Sequence, residues 1–371
     1  MSGHPLSPPD VSADRPHVPP PHVSPPRVPA EWEPQAAVWL AWPHQRSTWP
    51  GRFRPVPEFF TRWARIIAES TPVKILAGGE LAADAGRAFR QQPLIDVVDI
   101  ATNDCWIRDY GPTFVVRPDR PRGSEGRPRE MLEAVAWRYN AWGGKYPPWD
   151  LDDAAATRIA DHLRIPTIRG ELCLEGGALE TDGQGRLLTT PDCLVTDTRN
   201  PGRSTEDVAR ELHRRLGIGE IVWLDGGGLQ GDDTDGHIDQ LARFLSPEIV
   251  VAAVCDNPED PNHEPLEANY HQLRLWAGTT KPRVEVHRLP IPPARHIDGQ
   301  RVPESYCNFL RLGADRLLLP TFGDPAADDR AVGILRGLAD RVEVTPIDCR
   351  DLVWGLGALH CASRDQPRTD P

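Results

Sequence analysis

Short β-branched runs alternate with amphipathic stretches along most of this 371-residue chain, and that alternation confines it to an α/β architecture. Val73-Lys74-Ile75-Leu76, Glu220-Ile221-Val222-Trp223-Leu224, Ile249-Val250-Val251-Ala252, Arg316-Leu317-Leu318-Leu319 and Val342-Glu343-Val344 read as strands. Helical periodicity falls over 57–69, 152–164, 205–216, 265–277 and 327–339, with Pro57 at the N1 position and Ser204 as an N-cap. The last four of these begin 53, 60 and 62 residues apart, which implies a strand-helix unit repeated with unequal loops. Arg117 to Arg129, dense in Pro, Gly and Arg, reads as a surface insertion.

Residues 1–30 hold ten of the 40 prolines and almost no large apolar side chains, so they cannot bury enough surface to offset the entropy of ordering. They are expected to form a disordered or extended tail, although a misassigned start codon would leave the same trace. Globular sequence is expected over 31–371, opening where tryptophans 32, 39, 42 and 49 crowd together. The formal charge of -12 argues against nucleic acid and acidic lipid as partners and favours the approach of a cationic ligand. Seven cysteines, at 105, 173, 193, 255, 307, 349 and 361, show neither C-x-x-C pairing nor secretory spacing, which fits a reducing cytoplasm. No apolar run approaches the ~20 residues of a membrane span, and the N-terminus lacks the apolar core of a secretory signal. The choice between a monomer and a homo-oligomer stays open.

Two stretches carry chemistry. Cys361 lies in Gly355-Leu356-Gly357-Ala358-Leu359-His360-Cys361, where the glycines make room for close backbone approach and Leu352-Val353-Trp354 reads as a strand delivering the thiol. Upstream stands Asp233-Thr234-Asp235-Gly236-His237-Ile238-Asp239; in an extended segment Asp235, His237 and Asp239 would share one face. A thiolate, an imidazole and flanking carboxylates can attack a cationic carbon and shuttle protons afterwards. The same residues alone could make a polar turn or a metal loop. Calcium fails because the loop pattern puts Ala242 where a bidentate Glu is required, and zinc lacks a second firm local ligand. No metal or organic cofactor is expected. In an extended segment His360 would point away from Cys361, so the expected proton-transfer partner is His237. Arg108-Asp109 could be a surface ion pair, but Trp106 before it and Tyr110-Gly111-Pro112 after it suggest a shaped loop.

Six stretches together carry a resemblance to a known family: Asn103 to Pro112, Tyr139 to Tyr146, Leu174-Glu175-Gly176-Gly177, Gly231 to Phe244, Ser305-Tyr306-Cys307-Asn308-Phe309 and the region of Cys361. In this order the chain resembles the agmatine deiminases, within the broader group of bacterial-type peptidyl-arginine deiminases. The resemblance implies a five-bladed pseudo-symmetric α/β-propeller, the pentein fold, as one continuous domain with its site at the central axis. It also implies that Asp109 and Asp239 clamp the guanidinium, that Trp106 offers a flat face for the cation, and that Asn308 stands beside the nucleophile Cys361. Glu175 has two readings, a ligand for the substrate's distal amine or an acceptor of backbone hydrogen bonds in a turn whose glycines allow positive φ; Asn308 could equally be a buried structural amide.

The implied reaction starts with attack of Cys361 on the guanidinium carbon. His237 protonates departing ammonia, and water activated by His237 hydrolyses the thiouronium adduct. Such a hydrolase of linear amidines would turn agmatine into N-carbamoylputrescine and ammonia, in putrescine and polyamine synthesis. Asn140-Ala141-Trp142-Gly143-Gly144 carries no arginine to hold an α-carboxylate, which favours agmatine over free or peptidyl arginine. Where the family commonly reads G-G-G-N-I-H-C-I-T-Q-Q, this chain has Leu356, Ala358, Leu359, Ala362, Ser363, Arg364 and Asp365. That departure leaves a catalytically dead cation-binding relative as the reading of another class.

Overall fold

The structure, a computed structural model, describes residues 25–119 and 129–369. Its helices follow the amphipathic periodicity closely: Val56–Ala68, Asp150–Leu163, Thr205–Leu216, His263–Ala277 and Pro325–Leu338. Ser204 caps its helix as expected, with Asp207 returning a bond to the Ser204 backbone in a capping box. Pro57 falls one residue inside the expected position, because that helix begins at Val56.

Among the described residues, five sheets of three or four strands repeat one plan, an antiparallel pair followed by a crossover to a parallel neighbour. Thr113–Asp119, Arg129–Arg138 and Thr167–Cys173 form one; Glu180–Thr181, Arg186–Thr189 and Glu220–Trp223 the next. Ala242–Ser246, Ile249–Val254 and Glu285–Pro290 follow, then Leu310–Leu312, Arg316–Thr321 and Glu343–Asp348. In the remaining sheet the C-terminal strand Ser363–Pro367 pairs antiparallel with Gln35–Ala41, so the two ends of the chain share a sheet with Val73–Leu76 and Ile95–Val98. Parallel neighbours need such crossovers, and an amphipathic helix buries its apolar face in making one. The central strands Val73–Leu76, Ile249–Val254 and Arg316–Thr321 are mostly buried apolar runs, which makes them legible, whereas partners as short as Glu180–Thr181 and Leu310–Leu312 carry no periodicity of their own.

Three expectations are corrected here. Arg117 and Arg129 do not bound a loop: both lie in strands, Arg117 opposite Met131 and Asp119 opposite Arg129, while the intervening residues lie outside the described part. The tail does not end at residue 30, since Arg27 exchanges two backbone hydrogen bonds with Val116 and Ala30 is buried; residues 1–24 lie outside the described part. Leu352-Val353-Trp354 is not a strand, because Val353–Gly355 is a 3-10 helix. No helix among the described residues is long and apolar enough to cross a membrane.

Candidate active site

Each of the five sheets is entered through a turn, and those turns carry the candidate site residues. Asp109 lies in the short helix Ile107–Tyr110 just before Thr113, and Glu175 in the turn before Glu180. His237 and Asp239 lie at the 3-10 turn Ile238–Gln240 before Ala242, Asn308 just before Leu310, and Cys361 just before Ser363. One station in a repeated unit therefore supplies side chains that are distant in sequence. A cavity of about 420 Å³ reaches this region, with Trp106, Asp109, Trp142 and Cys361 among its lining residues.

Cys361 Sγ accepts from Asn308 Nδ2 at 3.0 Å and faces Asp239 Oδ2 at 3.5 Å, while Asn308 Oδ1 accepts the backbone N–H groups of His360 and Cys361. Burial, together with the negative charges of Asp239 and Asp109, pushes the thiol well above its ordinary pKa. His237 is fully buried, with Nδ1 3.6 Å from Asp109 Oδ1 and Nε2 3.6 Å from Glu175 Oε2. Among the described residues neither nitrogen has a partner within hydrogen-bonding distance, and the two carboxylates stand just beyond it. Burial acts to lower its pKa, yet Asp109, Glu175 and Asp239 reverse that and raise it to about 9. Asp109 itself is raised to about 6, chiefly by burial.

Asp109 is held by two donors, Gly177 N–H on Oδ1 and the Trp142 indole N–H on Oδ2, both at 2.9 Å. Trp142 reaches it from an unusual turn: Ala141, Trp142, Gly143 and Gly144 all have positive φ. The glycines of Glu175-Gly176-Gly177 act differently from expectation, for neither adopts positive φ. A Cβ on Gly177 would lie 2.5 Å from His237 Nδ1 and 2.8 Å from Asp109 Oδ1; one on Gly176 would meet the Arg108 carbonyl at 2.1 Å. They are small so that two site residues and a backbone can close on the turn.

Glu175 fits neither of its expected roles. Its carboxylate is buried away from the cavity and takes Arg199 Nε on both oxygens, at 2.8 and 2.9 Å. Burial would raise its pKa, but His237 and Arg199 together hold it below the usual value. Arg199 also donates to Asp235 Oδ2 and to the Thr234 carbonyl, fastening Glu175 to the turn that presents His237. Asp235 does not share a face with His237 and Asp239. It adopts φ +68° and Gly236 φ +97°, which reverses the chain and leaves Asp235 half-exposed. Asp232 organises this turn by accepting from Thr234 and Gly236.

His360 likewise departs from expectation, since it lies in a turn and not in an extended segment, and its Nδ1 meets Asp239 Oδ2 at 2.7 Å. Gly355 and Gly357 make room for indoles more than for backbone: added Cβ atoms would meet Trp49 and Trp106 at 2.6 to 2.8 Å. Trp106 is thereby wedged against the loop before Cys361. Leu356 lies in the left-handed region, φ +69°, and lines the cavity. Lys145, one residue past the stretch judged free of basic groups, also lines it; its ammonium is taken up by Asp235 Oδ1 at 2.7 Å and the Asp233 carbonyl. Asp104, Asp152 and Asp233 add carboxyl groups to the wall, and burial raises the pKa of each.

Sequence reasoning missed Trp142, Arg199, Lys145 and His360 as participants. The first and third stood inside a matching stretch, but nothing local marks Arg199.

The model of the Porphyromonas-type peptidyl-arginine deiminase family matches residues 27–367. Agmatine deiminase of Stutzerimonas stutzeri strain A1501 is 34% identical over 363 residues, spanning 92% of this chain and 95% of its own. That of Medicago truncatula is 32% identical, with 92% and 96% covered. Among solved structures, agmatine deiminase of Enterococcus faecalis superposes with a TM-score of 0.81 at 30% identity, covering 92% of this chain and 96% of that one. A Cys-to-Ser variant of C. jejuni agmatine deiminase with substrate bound gives 0.82 at 25% identity, with 92% and 96% covered.

Proposed function

The chain belongs to the Porphyromonas-type peptidyl-arginine deiminase family, and from that premise we propose that its cavity hydrolyses the guanidinium of agmatine to N-carbamoylputrescine and ammonia, a step of putrescine synthesis. The observation that carries the reading is an unsatisfied buried acceptor beside one thiol. Among the described residues Asp239 Oδ1 has no donor, on a carboxylate that stands 3.5 Å from Cys361 Sγ, and Asp109 lines the cavity with Cys361. A planar cation with five N–H donors supplies what such an atom lacks.

In this reading Asp109 and Asp239 clamp the guanidinium, with Trp106 beside it as an apolar wall. In the empty site the thiol is protonated, its hydrogen directed at Asp239. A bound cation offsets the carboxylate charge and favours the thiolate. Cys361 then attacks the central carbon, and His237, held as an imidazolium by the surrounding carboxylates, protonates the departing ammonia. The neutral imidazole takes a proton from water, whose oxygen displaces sulfur and returns the thiol. Glu175, charged through Arg199, sets the orientation of His237. Asp104 and Asp233 make the wall attractive to a distal ammonium, whose charge in turn favours their ionised forms.

The five repeated sheets support the finer architectural reading, five blades of a pseudo-symmetric propeller in one continuous domain. Seven free, buried cysteines support a reducing cytoplasm as its setting. One observation favours free or peptidyl arginine as a second reading: Lys145 in the cavity wall could meet a carboxylate if it left Asp235. Ammonia and ureido-product assays with agmatine, arginine and an arginyl peptide decide between them. We expect kcat/KM for agmatine to exceed that for arginine by about a hundredfold, because an extra carboxylate would face the acidic wall, where Lys145 is already paired with Asp235. Equal or faster turnover of arginine refutes the agmatine assignment. Absence of turnover on all three would instead leave an inactive cation-binding relative.

A further inference from the structure

Beneath the candidate site, on the side away from the cavity, runs a chain of buried charges that the reaction as described does not use. Asp239 Oδ2 meets His360 Nδ1 at 2.7 Å, and His360 Nε2 meets Glu31 Oε1 at 2.7 Å. Arg108 Nη2 stands 3.0 Å from Glu31 Oε1 as an ion pair, and Arg243 Nη2 donates to Glu31 Oε2 at 2.8 Å. Each arginine is anchored in turn. Arg108 bonds the Asp365 carboxylate and the His360 carbonyl; Arg243 bonds Glu180 and the carbonyls of Cys307 and Phe309. Glu31 belongs to the segment that enters the first strand, 329 residues from His360. The network therefore ties the N-terminal segment to the turn that carries Cys361.

The two oxygens of Asp239 have different surroundings. Oδ2 is bound to His360 and stands 3.5 Å from Cys361 Sγ, whereas Oδ1 is buried and has no partner. A carboxylate with one oxygen fixed cannot rotate, so the free oxygen keeps a single direction. Carboxylates only accept, so both imidazole bonds form at once only if both ring nitrogens carry hydrogen. Asp239 and Glu31 thus flank the ring, one carboxylate at each nitrogen.

We propose that His360, set by Glu31, is a positioning residue for the reaction: it fixes Oδ2 of Asp239 so that Oδ1 alone faces the guanidinium and the thiol is not held by an unpaired carboxylate. The proposal rests on the guanidine-hydrolysing reading above and adds to it a residue that touches neither substrate nor reacting atoms.

The two ring nitrogens can be tested separately. Asn places an amide N–H near the position of Nδ1 and can keep the bond to Asp239; Gln places its N–H near Nε2 and can keep only the bond to Glu31. We expect His360→Asn, which keeps the bond to Asp239 and loses the one to Glu31, to cost about tenfold in kcat/KM for agmatine, while His360→Gln and His360→Ala lose about a hundredfold, as a misdirected reacting group does. Glu31→Gln, which keeps side-chain length and one acceptor oxygen, should lose about tenfold, the lower end for a partner that orients a functional side chain. Circular dichroism and melting curves verify that each variant is folded.

A second readout needs no substrate: alkylation of Cys361 by iodoacetamide, followed by intact mass. Because freed Asp239 would hold the thiol proton, alkylation should be about tenfold slower in the Gln and Ala variants than in the Asn variant. Folded Asn, Gln and Ala variants with equal rates in both assays, whether all fast or all slow, overturn the role of His360. Unchanged Glu31→Gln overturns that of Glu31. Wild-type protein that alkylates normally but releases no ammonia from agmatine sinks the functional reading instead, and the alkylation series still decides the role of His360.

Discussion

Replacing Arg199 with Met keeps most of the side-chain volume and removes the fully buried cation that serves two purposes at once. In the wild type its Nε meets both oxygens of Glu175, Nη1 meets Asp235 at 2.8 Å and Nη2 meets the Thr234 carbonyl at 2.9 Å. Hydrogen bonds to charged groups contribute about 1.5 to 3 kcal/mol each. Their sum overstates the loss, because burying the pair costs desolvation; breaking one partner of a buried pair typically destabilises by about 3 to 5 kcal/mol. Asp235, half-exposed and still paired with Lys145, adds little. Most of the loss therefore comes from Glu175, which would stand buried with His237 left to offset its charge. Without the guanidinium its pKa rises, and to the extent that it takes up a proton it ceases to raise the basicity of His237. Chemical denaturation of Arg199→Met should show a loss of about 3 to 5 kcal/mol, with kcat for agmatine reduced. Adding Glu175→Gln removes the stranded carboxylate and should recover stability by a few kcal/mol without recovering kcat. A loss below about 1 kcal/mol, or a double variant no more stable than the single one, would refute the reasoning that this pair is energetically coupled.

Four further outcomes are expected. Cys361→Ala should abolish ammonia release while calorimetry still detects agmatine, and retained turnover would assign the attack to another residue. Asp109→Asn and Asp239→Asn should each cost about 2 to 5 kcal/mol of transition-state binding, read from kcat/KM, since each truncates a buried charge pair. His237 has a folded-state pKa of about 9 against an unfolded value of about 6.5, so its stabilisation is complete below about pH 6.5 and lost as pH rises through 9. Between those limits wild type should lose about 3 kcal/mol more stability than His237→Asn; the raised carboxyl of Asp109, at about 6, titrates mainly at and below the lower edge of that window, and parallel profiles across its upper part would contradict the charge assignment. Leu356→Gly should relieve a left-handed backbone worth about 1 kcal/mol, and a lower melting temperature in that variant would show that the leucine packs better than its conformation costs.

Local periodicity determined which segments became crossover helices and buried parallel strands, because each needs one apolar face and that face repeats within a few residues. The order of motifs was enough to bring Cys361, His237, Asp239, Asp109, Trp106 and Asn308 into one list, and all of them line or adjoin one site. What the sequence could not specify is direction. A period-two argument put Asp235 beside His237 and turned His360 away from the site, but two positive φ values reversed the first stretch and a turn redirected the second. Nor could it pair Glu175 with Arg199, or Glu31 with His360, since such contacts leave no local pattern. They exist because each sheet delivers its entry turn to the same place. There, buried charges must find partners wherever the chain supplies them, and only the folded arrangement decides which ones are within 3 Å.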